Sequence, residues 1–237
     1  MSEWKAKRFW KDTAVLPGET GFAVALDGRL VKTPAKRLLE APTRPLAQAI
    51  ADEWAAQGEK INPLSMPFTR TANAAIDKVA PQHAEVAQML AAYGDSDLLC
   101  YRAEGPAELA ARQAQVWGAM LDWAEDALGV RLEARSGVMH IRQSGPVLSR
   151  LSAQVHALSP FELAAFHDLV SLSGSLILGF AATKDARDTG EIWDISRLDE
   201  IWQSEQWGKD DEAEAHSALK RAAFFHAKRF FDLLHAE

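Results

Sequence analysis

One cysteine in 237 residues, Cys100, leaves no partner for an intrachain disulfide and too few thiolates for a zinc cluster. A reducing compartment is the expected setting. The seven histidines (His83, His140, His156, His167, His216, His226 and His235) never pair at i, i+4, and no HExxH occurs. A zinc site would need ligands gathered from distant segments. Phosphate-cradling loops are missing as well: Gly208-Lys209 lacks the glycine five positions earlier that a P-loop requires, and no GxGxxG follows a strand pattern. Ser173 and Ser175 lack the second glycine of a nucleophile elbow. The longest apolar passage, Leu163 to Ala182, is interrupted by His167, Asp168, Ser171, Ser173, Gly174 and Ser175, so it reads as a buried helix and not a membrane span. The first residues, MSEWKAKRFWKD, carry neither the apolar stretch of a signal peptide nor the Ser/Arg richness of an organelle presequence. A bacterial cytoplasm is expected over a mitochondrial matrix. No internal repeat, low-complexity tract or Gly/Ser linker is present. These absences turn the reading from enzyme toward binding protein.

What is present begins with ample apolar material, 48% of the chain, enough for a buried core. Net charge −7 and a pI near 5.5 argue against sequence-independent binding to nucleic acid or an anionic membrane, since neither phosphate field attracts an acidic body. A basic partner surface fits better. The charge is unevenly spread. Residues 1–40 hold eight Lys/Arg against five acids, whereas Asp185 to Glu214 holds eleven carboxylates against three bases, 3 − 11 = −8.

The periodicities divide the chain into a β-rich front and an α-rich back, an α+β protein whose expected domains are residues 1–100 and 101–237. Phe22, Val24 and Leu26 alternate, and Asp27-Gly28 is a two-residue turn tolerant of positive φ. Leu30-Val31 begins the return strand with Val24 opposite Val31. Thr33-Pro34 ends that pairing, and Arg37 to Glu40 is a further short strand. Thr43 caps a helix marked by Leu46, Ile50 and Trp54 and stopped near Gly58. From Thr69 to Ala92 the pattern predicts two helices broken near Pro81, and DLLCY, Asp97 to Tyr101, reads as a short buried strand added late to the sheet. Leu109, Val116, Met120, Ala124 and Leu128 mark a long amphipathic helix ended by Gly129.

Two acidic groups invite a chemical reading. Asp95 and Asp97 enter the DLLCY segment, where paired carboxylates serve as Mg²⁺ ligands or as acid and base, or simply as turn and cap residues. The chemical alternative is a metal-assisted hydrolase using them with acids of the 185–214 segment. That segment reads as one helix interleaving its carboxylates with Trp193, Trp202 and Trp207, a face soluble when free and adhesive toward a complementary partner. The plainer reading turns the indoles inward, since Ile195, Leu198 and Trp202 share helical spacing. Asp210, Asp211, Glu212 and Glu214 open the last helix, where negative charge complements the positive end of the helix dipole. Cys100, in an apolar stretch, is expected to be inert.

Taken in order and spacing, several segments resemble the Atp12-type chaperones that assist assembly of the F1 part of ATP synthase. They are RFWK (Arg8 to Lys11), LDGRLVKTP (Leu26 to Pro34), EWAAQGEKINPLSMPFTRTAN (Glu53 to Asn73), DSDLLCYR (Asp95 to Arg102), the helix carrying Gln113, Trp117 and Trp123, and SRLDEIWQSEQWG (Ser196 to Gly208). Gly118 departs from the pattern, where relatives often carry Asp. The resemblance implies a small β-rich N-terminal domain and a larger helical C-terminal one. It also implies a protein that binds the unassembled F1 α subunit and shields its subunit-contact surface until the β subunit displaces it. No enzymatic activity, nucleotide or metal is expected. Eukaryotic relatives would act in the mitochondrial matrix. The acidic SRL-x-E…Q…WG pattern carries over to Asp199, Glu200, Gln203 and Trp207 as partner contacts. A general holdase for many unfolded chains is a third possibility, distinguished by its protection of unrelated aggregating proteins.

Overall fold

The computed structural model describes residues 7–236; the first six residues, with Lys5 and most of the presequence reading, lie outside the described residues. The chain divides into two compact units, one formed by residues 1–83, 159–165 and 229–237, the other by residues 84–158 and 166–228.

The first unit is built on an antiparallel sheet: β1 (Thr13–Pro17), β2 (Phe22–Leu26), β3 (Arg29–Leu30) and β4 (Glu40–Ala41), with β2 pairing all three others. The expected hairpin forms in the expected register. Ala25 faces Leu30, Val31 N–H donates to Val24 O at 2.8 Å, and Asp27 and Gly28 take φ of 47° and 79° as a two-residue turn of this hand requires. Helix α1 (Arg44–Ala55) starts where Thr43 Oγ1 accepts from Leu46 N, and it buries Leu46, Ala47, Ile50 and Ala51 in the cluster that holds Val24, Leu26 and Leu39. Helix α2 (Pro67–Ala74) has no cap residue of its own. Glu53 from α1 supplies the acceptor, taking Phe68 N–H at 2.6 Å, Thr69 N–H at 2.8 Å and Thr69 Oγ1 at 2.7 Å, while partial burial raises its pKa. Trp10 meets Trp54 edge-on at 5.2 Å, and Phe230 stacks with Phe68 and Phe161.

Between Thr69 and Ala92 the sequence pattern suggested a break at Pro81, but the backbone stays helical. A π turn (Ala75–Val79) and a 3₁₀ turn (Ala80–Gln82) carry α2 into α3 (His83–Ala91). Widened and tightened turns absorb the missing proline N–H without ending the run.

In the second unit the DLLCY stretch is not the strand the sequence suggested. Leu98–Cys100 is a 3₁₀ turn, and only β5 (Tyr101–Arg102) is extended. The reason is Asp97, fully buried, whose Oδ1 accepts from Leu99 N at 3.0 Å and folds the chain back on itself. Strand β5 joins no N-terminal sheet; after α4 (Ala107–Leu128) it pairs in parallel with β6 (Arg135–Ser136). Helix α4 ends at Gly129, left-handed with φ 66°, as expected. Helix α5 (Gly145–His156) follows. The apolar passage read as one helix is two, α6 (Pro160–Ser173) and α7 (Leu176–Thr183). Gly174, at φ 71°, breaks the run, and Ser175 recaps it by accepting Leu178 N–H. The acidic segment is likewise divided into α8 (Thr189–Ser196) and α9 (Leu198–Trp207), with Gly208 at φ 88° before α10 (Asp211–Leu233). No described helix is long and apolar enough to cross a membrane.

Candidate partner interface

The acidic segment of the second unit is anchored by its apolar half. Ile192 and Trp193 of α8 are buried, the Trp117 indole N–H donates to Ile195 O at 2.9 Å, and Asp188 caps α8 by accepting from Gly190 N at 2.7 Å. Arg197 sits at the break between α8 and α9. Its guanidinium lies over the Trp193 ring at 5.2 Å, donates to Leu172 O and pairs with Glu200 Oε1 at 3.0 Å. The plainer of the two indole readings holds for these two: Trp193 faces inward and Trp202 is half-buried. Trp207 does the opposite. It is 79% exposed at the end of α9.

Between α8–α9 and α10 runs an open groove of about 780 Å³, lined by Trp193, Glu200, Ile201, Gln203 and Trp207 on one side and Ser217 and Lys220 on the other. Its lining includes five carboxylates (Asp194, Glu200, Glu205, Asp210, Glu214) against Arg197, Lys209 and Lys220. Part of this charge is already engaged. Arg112 donates to Glu205 at 2.6 Å and holds that carboxyl below its ordinary pKa, and Glu214 accepts from Lys209 at 2.8 Å and raises the ammonium's. Both pairs are exposed and contribute little stability. Of the four residues singled out from the sequence, Glu200, Gln203 and Trp207 share the groove. Asp199 is half-buried, its Oδ1 accepting from Gln113 Nε2 at 2.7 Å.

Gln113 is a support that the sequence reading named within a motif without giving it a task. It is 1% exposed, takes Ala103 N–H on Oε1 at 2.7 Å, and its carbonyl accepts from Arg102 at 2.8 Å. The signal was a glutamine one helical turn before Trp117 on an otherwise apolar stripe.

The hydrolase alternative fails on geometry. Asp97 spends its oxygens on Leu99 N and Ile177 N, the latter at 3.1 Å, and burial pushes its pKa up to about 6. Asp95 Oδ1 accepts from Gln143 N at 2.7 Å. Among the described residues no three His, Cys, Asp or Glu side chains converge on a common point, so acids of 185–214 do not join this pair. Cys100 is buried and its thiol is pushed up to about 12 by desolvation and then by Asp97, consistent with an inert side chain.

Comparison with known proteins adds the remaining identification. Residues 7–125 match the family described as ATP12 chaperone protein. The mitochondrial protein atp12 of Schizosaccharomyces pombe is 27% identical over 219 residues, 87% of this chain and 75% of that protein. Crystalline Atp12 from Paracoccus denitrificans is 48% identical with a TM-score of 0.94, covering 98% of this chain and 100% of that one. A mutant of the same protein gives 48% and 0.95 with the same coverage. An Agrobacterium tumefaciens protein named as a candidate chaperone is 40% identical with a TM-score of 0.91, covering 96% of this chain and 86% of that one. The α+β architecture is shared with these structures. With half the chain matched by the family and nearly all of it superimposing at 40–48% identity, the chain belongs to the ATP12 chaperone family, chaperones of ATP synthase F1 assembly.

Proposed function

We propose that this chain captures the unassembled α subunit of ATP synthase F1 and covers its subunit-contact surface until the β subunit replaces it, with no covalent chemistry. An orphan subunit exposes a large apolar interface, and such surfaces self-associate unless covered. The cover must bind well and still be displaced. Few anchors within a polar, charged rim meet both demands, because anchors supply affinity while rim charges set encounter and register.

One observation carries the reading: Trp207, 79% exposed, stands at the end of an acidic groove that Glu200 and Gln203 also line. A free indole costs solubility when idle, and nearby carboxylates offset that cost. Asp199 contributes from beside them through its Gln113 bond. The expected partner feature is a basic segment flanked by an apolar side chain.

Charge reversal tests it. Glu200→Lys should weaken capture of purified F1 α subunit by roughly tenfold, the scale of a disrupted interfacial charge contact, while circular dichroism and urea unfolding stay at wild-type values. Glu200 is exposed and its partner Arg197 keeps Leu172 O and the Trp193 face, so folding does not depend on the pair. Undiminished capture by the folded variant removes Glu200 from the interface; failure of the wild-type chain to capture the α subunit removes the reading itself.

A further inference from the structure

From Ala134 to Phe161 the sequence contains no aspartate or glutamate, in a chain of net charge −7. Inside that stretch, immediately after β6, the six-residue loop 137–142 exposes three apolar side chains: Val138 at 88%, Met139 at 78% and Ile141 at 50%. Single exposed aliphatics are ordinary; three within four positions on one loop are not.

The loop is held at both feet. Gly137 N–H donates to Arg102 O at 2.9 Å, and Gln143 N–H donates to Asp95 Oδ1 at 2.7 Å. Gln143 also accepts from Glu133 N at 2.9 Å. At the centre, His140 Nδ1 lies 3.1 Å from the Tyr101 hydroxyl and Nε2 lies 3.5 Å from Asp95 Oδ2. The His140 ring is thus turned back onto the second unit, leaving the aliphatic side chains and Arg142 outward. A loop fixed in this way loses little conformational entropy when it docks. The carboxylates around it are occupied or basal: Asp95 as described, Glu133 with Arg135 at 2.7 Å, and Glu104 beside Gly137. Arg142, exposed at the loop's far end, has no ion-pair partner among the described residues.

We infer that residues 137–142 form a second docking element for the same client. Val138, Met139 and Ile141 seat in an apolar cleft of the unassembled α subunit, and Arg142 meets a carboxylate on its rim. The inference rests on the α-subunit reading given above. Two observations favour this occupant. Charge complementarity is one: the finger offers an unpaired guanidinium and no acid, the inverse of the acidic groove, so one client surface carrying both signs would be held in a fixed register. Continuity is the other. Gln113 is bonded to Ala103, next to β5, through Oε1 and to Asp199 of α9 through Nε2, so the root of the finger and the groove share one buried support. Anionic lipid fits less well. The loop has no Trp, Tyr or Phe for the interfacial layer, and the whole protein is acidic.

The test uses the full chain and immobilised purified α subunit. Replacing Val138, Met139 and Ile141 together by serine should weaken binding at least roughly tenfold, as expected for loss of a buried aliphatic anchor, and Arg142→Glu should weaken it by several-fold with a shallower salt dependence, because salt screens the new repulsion. All four positions are exposed, so urea midpoints should match wild type; a variant with a shifted midpoint is replaced by the single Met139→Ser change. Wild-type binding that survives both changes intact overturns the finger and leaves the groove reading standing. Absence of wild-type binding overturns both together. Finger-dependent flotation with vesicles of phosphatidylcholine and phosphatidylglycerol in equal parts, without finger-dependent α-subunit binding, would reassign the loop to lipid and overturn the protein occupant.

Discussion

Two glycines sit inside helices of the second unit, and alanine should move stability in opposite directions at them. At Gly118 in α4, a Cβ would meet nothing within 4 Å. Alanine there removes only the backbone freedom of the unfolded chain and should stabilise by about 1 kcal/mol. At Gly179 in α7, the same atom would lie 2.6 Å from Val170 Cγ2 and 3.1 Å from Phe166 Cε2. Both neighbours are 0% exposed, so neither can swing into solvent. The overlap with Val170 is on the order of 1 Å against an ordinary carbon–carbon contact. Overpacking of that kind costs about 1–3 kcal/mol, and the propensity gain returns about 1 kcal/mol of it. Gly179→Ala should therefore be destabilised by up to about 2 kcal/mol, leaving the two variants roughly 1–3 kcal/mol apart. Urea unfolding followed by tryptophan fluorescence reads both, with Trp117 and Trp193 buried in the same unit as reporters. A Gly179→Ala protein stabilised as much as Gly118→Ala would mean that α6 and α7 are not in the close contact described, and the reasoning would fail.

Asp97 makes stability depend on pH with a definite sign. Its folded pKa, about 6, lies above the ordinary carboxylate range, so the folded state binds the proton more tightly. The associated stability is present below pH ~4, falls as pH rises toward 6 and is lost above it, on the order of 3 kcal/mol in total. Subtracting the profile of Asp97→Asn, which cannot titrate, cancels other groups such as His167, whose pKa is raised by its hydrogen bond to Asp168. A flat difference between pH 4 and 7 would refute the assignment. Gln113→Leu leaves the half-buried Ala103 N–H and Asp199 carboxylate without this partner, and should destabilise by about 1–3 kcal/mol while also weakening α-subunit capture. Unfolding midpoints check the first effect and binding at temperatures where the variant is folded checks the second.

The features legible in the sequence are those set by neighbours a few residues away. Asp27-Gly28 dictates its turn because both φ values must be positive, Thr43 caps α1 through its own hydroxyl, and Gly129 ends α4 by going left-handed. In several misreadings a distant or buried group overrode local pattern. DLLCY has the continuous apolar run of a short buried strand, yet Asp97 reaches across to Ile177 N as well as Leu99 N and curls it. Strand β1 escaped notice because Thr13 to Pro17 is largely exposed and closes with proline, and it becomes a strand only through its ladder with β2. Periodicity also could not show that residues 229–237 belong with the N-terminal unit, since that depends on Phe230 finding Phe68 and Phe161. For the candidate site, the composition pointed to the acidic segment, but not to which indole is free. That is decided by Arg197 covering Trp193 and by the chain turning at Gly208 just after Trp207.

The break between α8 and α9 explains how one acidic segment can be both structural and adhesive. A continuous helix would carry Trp193 and Trp207 in fixed angular relation, 14 residues apart, at 100° per residue some 40° short of four full turns, and both would face one side. With the chain bent at Arg197, Trp193 stays in the core with Phe224 at 5.6 Å while α9 is free to direct Trp207 outward. The acids then divide by position. Asp188 and Asp210 accept backbone N–H groups at helix starts, where they stabilise the fold, and Glu200 and Glu205 line the groove. On this account Arg197 is the residue on which the division depends, since it closes α8, covers the inner indole and restrains Glu200 with a single guanidinium. Lysine at that position would keep the charge and lose the stacked, multiply bonded geometry, so the inner indole would be uncovered while Glu200 kept a neighbouring cation.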